Sequence, residues 1–150
     1  MNIHNLLNNT KITRISADGA GTASANPTKM TIVDMMGFDS VCFVAMMGNV
    51  LTTSVLTLRA AGATSNSSGA MALLTGTATF TAGATDADDN MLILDVVAPP
   101  FRYIECQLFH VTANGPFDGV LAIQYNAARV PTTQGSTVIA STTADSPVLA

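Results

Sequence analysis

The sequence is poor in charge: charged residues make up 11% of its 150 residues, against roughly 25% in an ordinary soluble domain. Lysine and arginine number only six and are scattered singly. They form no basic stripe of the kind that neutralises nucleic-acid phosphates, so nucleic-acid binding is not expected. A surface this neutral favours a protein that packs against copies of itself or a larger assembly. A Ser/Thr-rich monomer is the alternative.

Long apolar runs are also missing, although the mean hydropathy is positive. The longest strictly apolar run, residues 41–47, is about a third of the length that crosses a membrane. The first residues, MNIHNLLNNTK, contain neither an apolar core nor a cleavage site. We therefore expect no transmembrane helix and no signal peptide, and a protein that stays in the cytoplasm or in a particle assembled there.

Tryptophan is absent and aromatic residues are only 5% of the chain, which leaves little for a sugar-binding platform. The two cysteines, Cys42 and Cys106, lie within apolar patterns and are expected to be buried free thiols. Cys106 and His110 are four residues apart, about 13 Å along a strand, too far for a thiolate–imidazole pair. Glu105 and Asp95 could face each other on adjacent strands, but no cleft is expected around them. No serine elbow or phosphate loop is present, so we expect no enzymatic activity.

One acidic turn has part of a calcium-binding pattern. Asp86, Asp88 and Asn90 occupy the first three ligand positions of a calcium loop. The pattern then fails, because Met91 replaces the tight-turn glycine and Val97 the bidentate glutamate. A solvated hairpin turn is the favoured interpretation, and a weak, unspecific Ca²⁺ site shared between subunits is the alternative. We expect no cofactor.

The stretch from residue 91 to residue 125 is the main source of strand signals. Residues 101–111 and 119–125 alternate apolar and polar side chains, and Asn114-Gly115 between them is typical of a tight turn. Residues 92–97 form a third strand pattern. The three strands together are interpreted as a meander.

Further strands are predicted at residues 11–16, 29–33, 55–60 and 76–82. Residues 40–47 are uninterruptedly apolar, which predicts a central strand covered on both faces. Residues 17–27 and 61–70 read as loops. Strands at short spacing without a long helix predict an all-β fold, an antiparallel β-sandwich or barrel that is jelly-roll-like.

The composition divides the chain into a body, residues 11–129, and two extended terminal arms, residues 1–10 and 130–150. The C-terminal arm is Ser/Thr/Ala-rich, with a possible strand at residues 137–140, and is expected to leave the domain. Apolar side chains in the arms are candidates for contacts with neighbouring subunits: Ile3, Leu6, Leu7, Val130, Pro131, Val138 and Ile139.

Three segments carry a family resemblance: MNIHNLLNNTKITRISADGA at the start, FTAGATDADDNMLILDV in the middle and DGVLAIQYNAARVPTTQG near the end. They resemble the capsid decoration, or cement, proteins encoded beside the major capsid protein of tailed bacteriophages. The resemblance covers nearly the whole chain but brings no list of functional residues. It implies a β-rich, often jelly-roll-like protein, often a homotrimer, on the outer surface of the virion. The implied partners are the major capsid protein and copies of the chain itself, with no nucleic acid and no membrane.

Other interpretations remain open from sequence alone. A head-fibre or tail subunit of the virion would share the β fold and the low charge. A jelly-roll carbohydrate-binding module would need exposed aromatic side chains in a groove. A small hydrolase is disfavoured because no nucleophile is paired with a base.

Overall fold

Two antiparallel sheets pack face to face in a computed structural model, which describes residues 5–144. The first sheet has the spatial order β1 (Lys11–Ser16), β9 (Phe117–Ala127), β4 (Phe38–Met47) and β7 (Met91–Val96). The second has the order β2 (Ser24–Lys29), β8 (Tyr103–Val111), β5 (Val55–Ala63) and β6 (Ala72–Thr81), and the short β3 (Val33–Asp34) also pairs with β8. The helices described are α1 (Leu6–Asn9) and a single 3₁₀ turn, Ser68–Ala70.

The strand order is that of a jelly roll. If β2 and β3 count as one interrupted strand, because both pair with β8, each sheet has four strands and consecutive strands repeatedly cross from one sheet to the other. This double Greek key confirms the predicted antiparallel β-sandwich with jelly-roll-like topology. Full pairing is interrupted at the sheet margins, where β1 and β2 each contain a register shift.

The hydrophobic core lies between the sheets and follows the two-residue period of the strands. On β4, Val41, Phe43 and Ala45 are completely buried, and the second sheet supplies Leu58 and Leu108 from the opposite side. Successive side chains point to opposite faces of a sheet, so the residues between these on β4 point away from the core. The core therefore uses only one face of each sheet.

Most predicted strands are confirmed, with β1 matching residues 11–16. The strand predicted at residues 29–33 is wrong, because β2 ends at Lys29 and β3 begins at Val33. β2 instead lies in the stretch read as a loop. Its sequence, SANPTK, has no apolar alternation because five of its six residues are exposed. No strand is formed at residues 137–140.

The predicted meander is also wrong. β7 pairs with β4, β8 with β5, and β9 with β4 and β1, so the three strands do not pair with one another. The Asn114-Gly115 turn carries the chain from the second sheet to the first. Its backbone bonds join distant segments: Gly115 N–H donates to Gly21 O at 2.8 Å, and Leu51 N–H donates to Asn114 O at 3.0 Å. These long-range bonds replace the cross-strand pairing of a hairpin.

Candidate interaction surfaces

The outer surface of the first sheet is apolar. We call it the apolar face, and it consists of Ile12, Cys42, Val44, Met46, Met91, Ile93, Leu121 and Ile123. The strand register sets these side chains in rows: Val44 lies between Leu121 and Ile93. Those on β4 and β9 are half-buried, whereas Met91 and Ile93 on the edge strand are 59% and 54% exposed.

This surface corrects one prediction. The apolar run of β4 was expected to be covered on both faces, yet within the single chain only the core-facing half is buried. Arg14 and Asp95 lie at the two margins of the apolar face, on β1 and β7, and no charged side chain of β4 or β9 points into it. Apolar surface of this kind, rimmed by polar groups, is typical of an interaction site, and a protein–protein contact is one such site.

A cleft of about 520 Å³ opens at the sandwich edge where β6 and β7 approach each other. We call it the edge cleft. Its apolar walls come from Leu56, Ala78 and Phe80 on the second sheet and from Met91 and Ile93 on the first. Each of its two strands pairs on one side only, β6 with β5 and β7 with β4. The edge cleft therefore combines apolar side chains with unpaired strand backbone.

The opposite edge of the first sheet, β1, is covered by the chain's own C-terminal segment. The Gln134 amide oxygen accepts from Ile12 N–H at 2.9 Å, and Gly135 N–H donates to Ile12 O at 3.1 Å. Farther along, Arg14 N–H donates to the Thr137 hydroxyl at 2.7 Å. Side-chain and backbone groups together occupy the hydrogen-bonding edge, which would otherwise be open to another strand.

The same segment ties down the N-terminal helix. Thr132 N–H donates to Asn8 O at 2.9 Å, and the Gln134 side-chain amide donates to Leu7 O at 2.8 Å and Thr10 O at 2.9 Å. Asn5 caps α1 through its side-chain oxygen, which accepts from Leu7 N–H at 2.9 Å. Residues 5–10 and 132–137 thus lie against the body. The expectation that residues 130–150 leave the domain therefore does not hold for residues 132–137.

The proposed arm residues differ in environment. Ile3 lies outside the described residues. Leu6, Val130, Pro131 and Ile139 are exposed, and Ile139 fully so, whereas Leu7 and Val138 are half-buried. Whether these side chains contact a neighbouring subunit stays a prediction.

The acidic turn uses its polar groups to hold its own loop. One Asp86 carboxylate oxygen accepts from Gly83 N–H at 2.6 Å, and the Asn90 side-chain amide donates to Asp86 O at 2.8 Å. Asp88 accepts from Val50 N–H at 2.8 Å and so fastens the turn to the preceding loop. Between residues 5 and 144, no three His, Cys, Asp or Glu side chains form a group suited to a metal ion.

A polar network that sequence reasoning missed lies on the outer surface of the second sheet. Glu105 is 1% exposed, accepts from the Gln107 amide at 2.7 Å and lies 4.0 Å from the Lys29 ammonium. Gln107 also accepts from Arg59 Nε at 2.9 Å. Lys29 in turn donates to Ser68 at 3.0 Å, so the network fastens the loop after β5 over this face. Alternation along β8 could have placed Glu105 on the outer side, but not its burial.

The pairing suggested for Glu105 and Asp95 is wrong, because the two residues belong to different sheets. Asp95 lies instead beside Tyr125, whose hydroxyl donates to its carboxylate at 2.7 Å. Partial burial of that hydroxyl, and next its bond to Asp95, raise the pKa of Tyr125. No pair of carboxylates for glycosidase chemistry is formed by these residues.

His110 and Cys106 point into the core rather than into a cleft. The His110 ring stacks on Phe117 at 5.5 Å, and its Nε2 lies 3.3 Å from the Thr28 hydroxyl. Burial lowers the pKa of His110, and the backbone of Gly115 opposes that shift. Burial raises the pKa of Cys106 to about 12. Both cysteines are free, as predicted, but Cys42 is only half-buried because it lies on the apolar face.

No protein-family model matches the sequence, and no curated protein matches it significantly. None of the helices formed by residues 5–144 is long and apolar enough to cross a membrane.

Proposed function

We propose that this chain is a structural protein of the virion of a tailed bacteriophage. In this proposal it is a capsid decoration, or cement, protein that binds the outer surface of the head and stabilises the shell, as a homotrimer. Its partners are copies of itself and the major capsid protein. Two lines of support meet here, the sequence resemblance and the physical character of the surface.

The apolar face is the observation that carries the proposal. It presents Val44, Leu121 and Ile123 in contiguous rows without an intervening charge. Each square ångström of apolar surface removed from water contributes roughly 25 cal/mol before entropic costs. A contact that buries on the order of 1,000 Å² or more lies in the range of specific interfaces. Cover by another protein would complete the burial that the β4 sequence predicts.

A cement role asks for a rigid body with several contact surfaces. The jelly roll offers an apolar face on one side and an edge cleft between two unpaired strands. Weak contacts repeated around a symmetric assembly add through multivalency, so no single tight site is needed.

The test is electron microscopy of particles from a phage that lacks the gene, beside particles reconstituted with the purified protein. Loss of protrusions on the head, and their return on reconstitution, are expected. Loss of a fibre or tail feature would assign the chain to that structure instead. Heads that look and withstand heat or low salt as before would refute a structural role in the virion.

Oligomeric state is a second readout. Light scattering is expected to give three times the 15.4 kDa of a single chain. A glycan-array signal together with a monomeric mass would favour the carbohydrate-binding alternative over the cement role.

A further inference from the structure

Exposed large apolar side chains concentrate at one edge of the sandwich. Of the eleven among the described residues, five lie on or next to β6 and β7: Leu73, Phe80, Met91, Ile93 and Val97. β7 uses only the hydrogen-bonding side that faces β4, and β6 only the side that faces β5. An edge with both free backbone groups and apolar side chains can accept an extended segment as an additional strand.

The chain has a segment suited to that edge. The contact with the β1 edge extends to Thr137, which accepts from Arg14 N–H, and Val138 N–H then donates to Gly135 O within the segment itself at 3.0 Å. Farther on, Ile139 is fully exposed, and insertion elsewhere would break the exposed hydrogen bond that Asn5 donates to Thr143. Residues 130–144 contain no charged side chain, so burial of residues 139–144 would desolvate no charge. If extended, residues 138–144 reach about 23 Å.

The inserting segment (the donor) and the edge that receives it (the acceptor) lie at different places on the body, and their positions decide the type of assembly. The segment starts from β1, and the edge cleft lies beside β7, at the other margin of the same four-stranded sheet. Two different surfaces then meet at each contact between copies. Such a heterologous contact closes into a ring when the rotation between copies permits, whereas a contact between two identical faces would give a twofold dimer.

We propose that the segment beginning at Val138 inserts into the edge cleft of a second copy and pairs with its β7. Ile139 contacts the apolar wall formed by Phe80 and Ile93, and backbone hydrogen bonds supply the remaining contacts. The part of the apolar face that lies on β4 and β9 remains available to the capsid. This inference rests on the proposed role as an assembling virion protein and specifies how the copies are joined.

Two variants test the donor segment and the acceptor edge separately. Ile139→Asp changes the donor segment outside the folded body, and Ile93→Asp changes the acceptor edge. Met36→Asp is the matched control, because Met36 is 68% exposed in the turn before β4 and lies in neither surface. A chain that ends after Val138 removes the donor without altering any residue of the body. Circular dichroism checks that each variant is folded.

The readout is mass by light scattering across a concentration series. The unaltered chain and the Met36→Asp control are expected to assemble alike. The donor variant, the acceptor variant and the shortened chain are each expected to lose assembly and give the mass of a single chain, which is 15.4 kDa for a chain of full length. Mixing the donor and acceptor variants leaves one intact contact per pair and should restore a two-chain species at the highest concentration.

Three results would overturn the inference: a monomeric unaltered chain, donor and acceptor variants that assemble normally, or a mixture that stays monomeric. Binding of the same proteins to undecorated capsids, measured by co-sedimentation, separates the two proposals. If the unaltered chain binds capsids but fails any of these mass tests, the arm exchange is wrong and the cement role stands. If it assembles as described yet ignores capsids, the cement role is wrong.

Discussion

Gly21 is the residue where a single added methyl group should disturb the fold most clearly. Its φ is +51°, a left-handed conformation that costs other residues roughly 1–2 kcal/mol. A Cβ there would also overlap the carbonyl group of Gly115, which is backbone and cannot rotate away. The overlap would break the 2.8 Å bond from Gly115 N–H to Gly21 O, worth about 1 kcal/mol.

Gly37 provides the matched control. Its φ is +87°, but a Cβ added there would meet no atom within 4 Å. Gly37→Ala should therefore cost only the backbone strain, roughly 1–2 kcal/mol. Gly21→Ala should cost about 3 kcal/mol or more, because strain, overlap and the lost hydrogen bond combine.

Urea unfolding followed by far-UV circular dichroism measures both values, since the chain has no tryptophan to report fluorescence. All proteins are compared at one concentration, because self-association would raise the apparent stability. The difference of about 2 kcal/mol corresponds to a Tm difference of roughly 4–8 °C for a domain of this size. Equal losses in the two variants would refute the close approach of the loop before β2 to the crossing between β8 and β9.

Three further outcomes are expected. Burial lowers the pKa of His110 in the folded protein, so the unfolded chain binds that proton more readily, and stability should fall as pH drops below about 6.5, by at most about 1.4 kcal/mol per pH unit. His110→Phe should flatten this slope in urea unfolding across pH 5–7.5. An unchanged slope would show that His110 is not the group responsible for it. Burial raises the pKa of the Cys106 thiol to about 12, so Cys106 should react with a thiol reagent only in urea, whereas the half-buried Cys42 should react without it. Prompt labelling of both cysteines in the folded protein would contradict the burial of Cys106. Arg102 makes an exposed bidentate ion pair with Asp34 and lowers the pKa of that carboxyl. Because the pair is exposed to water, Arg102→Ala should lower the free energy of unfolding by no more than about 1 kcal/mol, and by less at high salt. A larger loss of stability that does not depend on salt would contradict this expectation.

The pattern of apolar and polar side chains predicted strand positions well wherever a strand buries one face. β1 and β4 were predicted within a few residues because apolar side chains recur along them. β2 was missed because it is an edge strand with little burial, so its composition resembles a loop. The jelly-roll pairing could not be derived from a turn sequence, since Asn114-Gly115 suits a hairpin and a crossing between sheets equally well.

The candidate surfaces were only partly predictable for a related reason. The apolar run of β4 indicated cover on both sides, but which face meets the core and which stays bare depends on the partner sheet. The edge cleft joins Phe80 and Ile93, which are brought together only by the folding of two sheets. The burial of Glu105 likewise depends on a loop that follows another strand.

The position of a C-terminal truncation tests whether this segment has two separate roles. Deleting residues 130–150 removes Gln134 and Gly135, and with them the hydrogen bonds that these residues form with the β1 edge and with α1. Each of these bonds is worth about 1 kcal/mol at most, because it is in contact with water. We expect this chain to lose about 2–4 kcal/mol in urea unfolding and to aggregate, because β1 would then present an open strand edge. A chain that ends after Val138 keeps every one of these bonds and should be as stable as the full chain at concentrations where neither self-associates. If the two truncations are equally stable, the contacts along β1 contribute nothing to the body, and residues 130–137 would be as free to act as an arm as the residues that follow them.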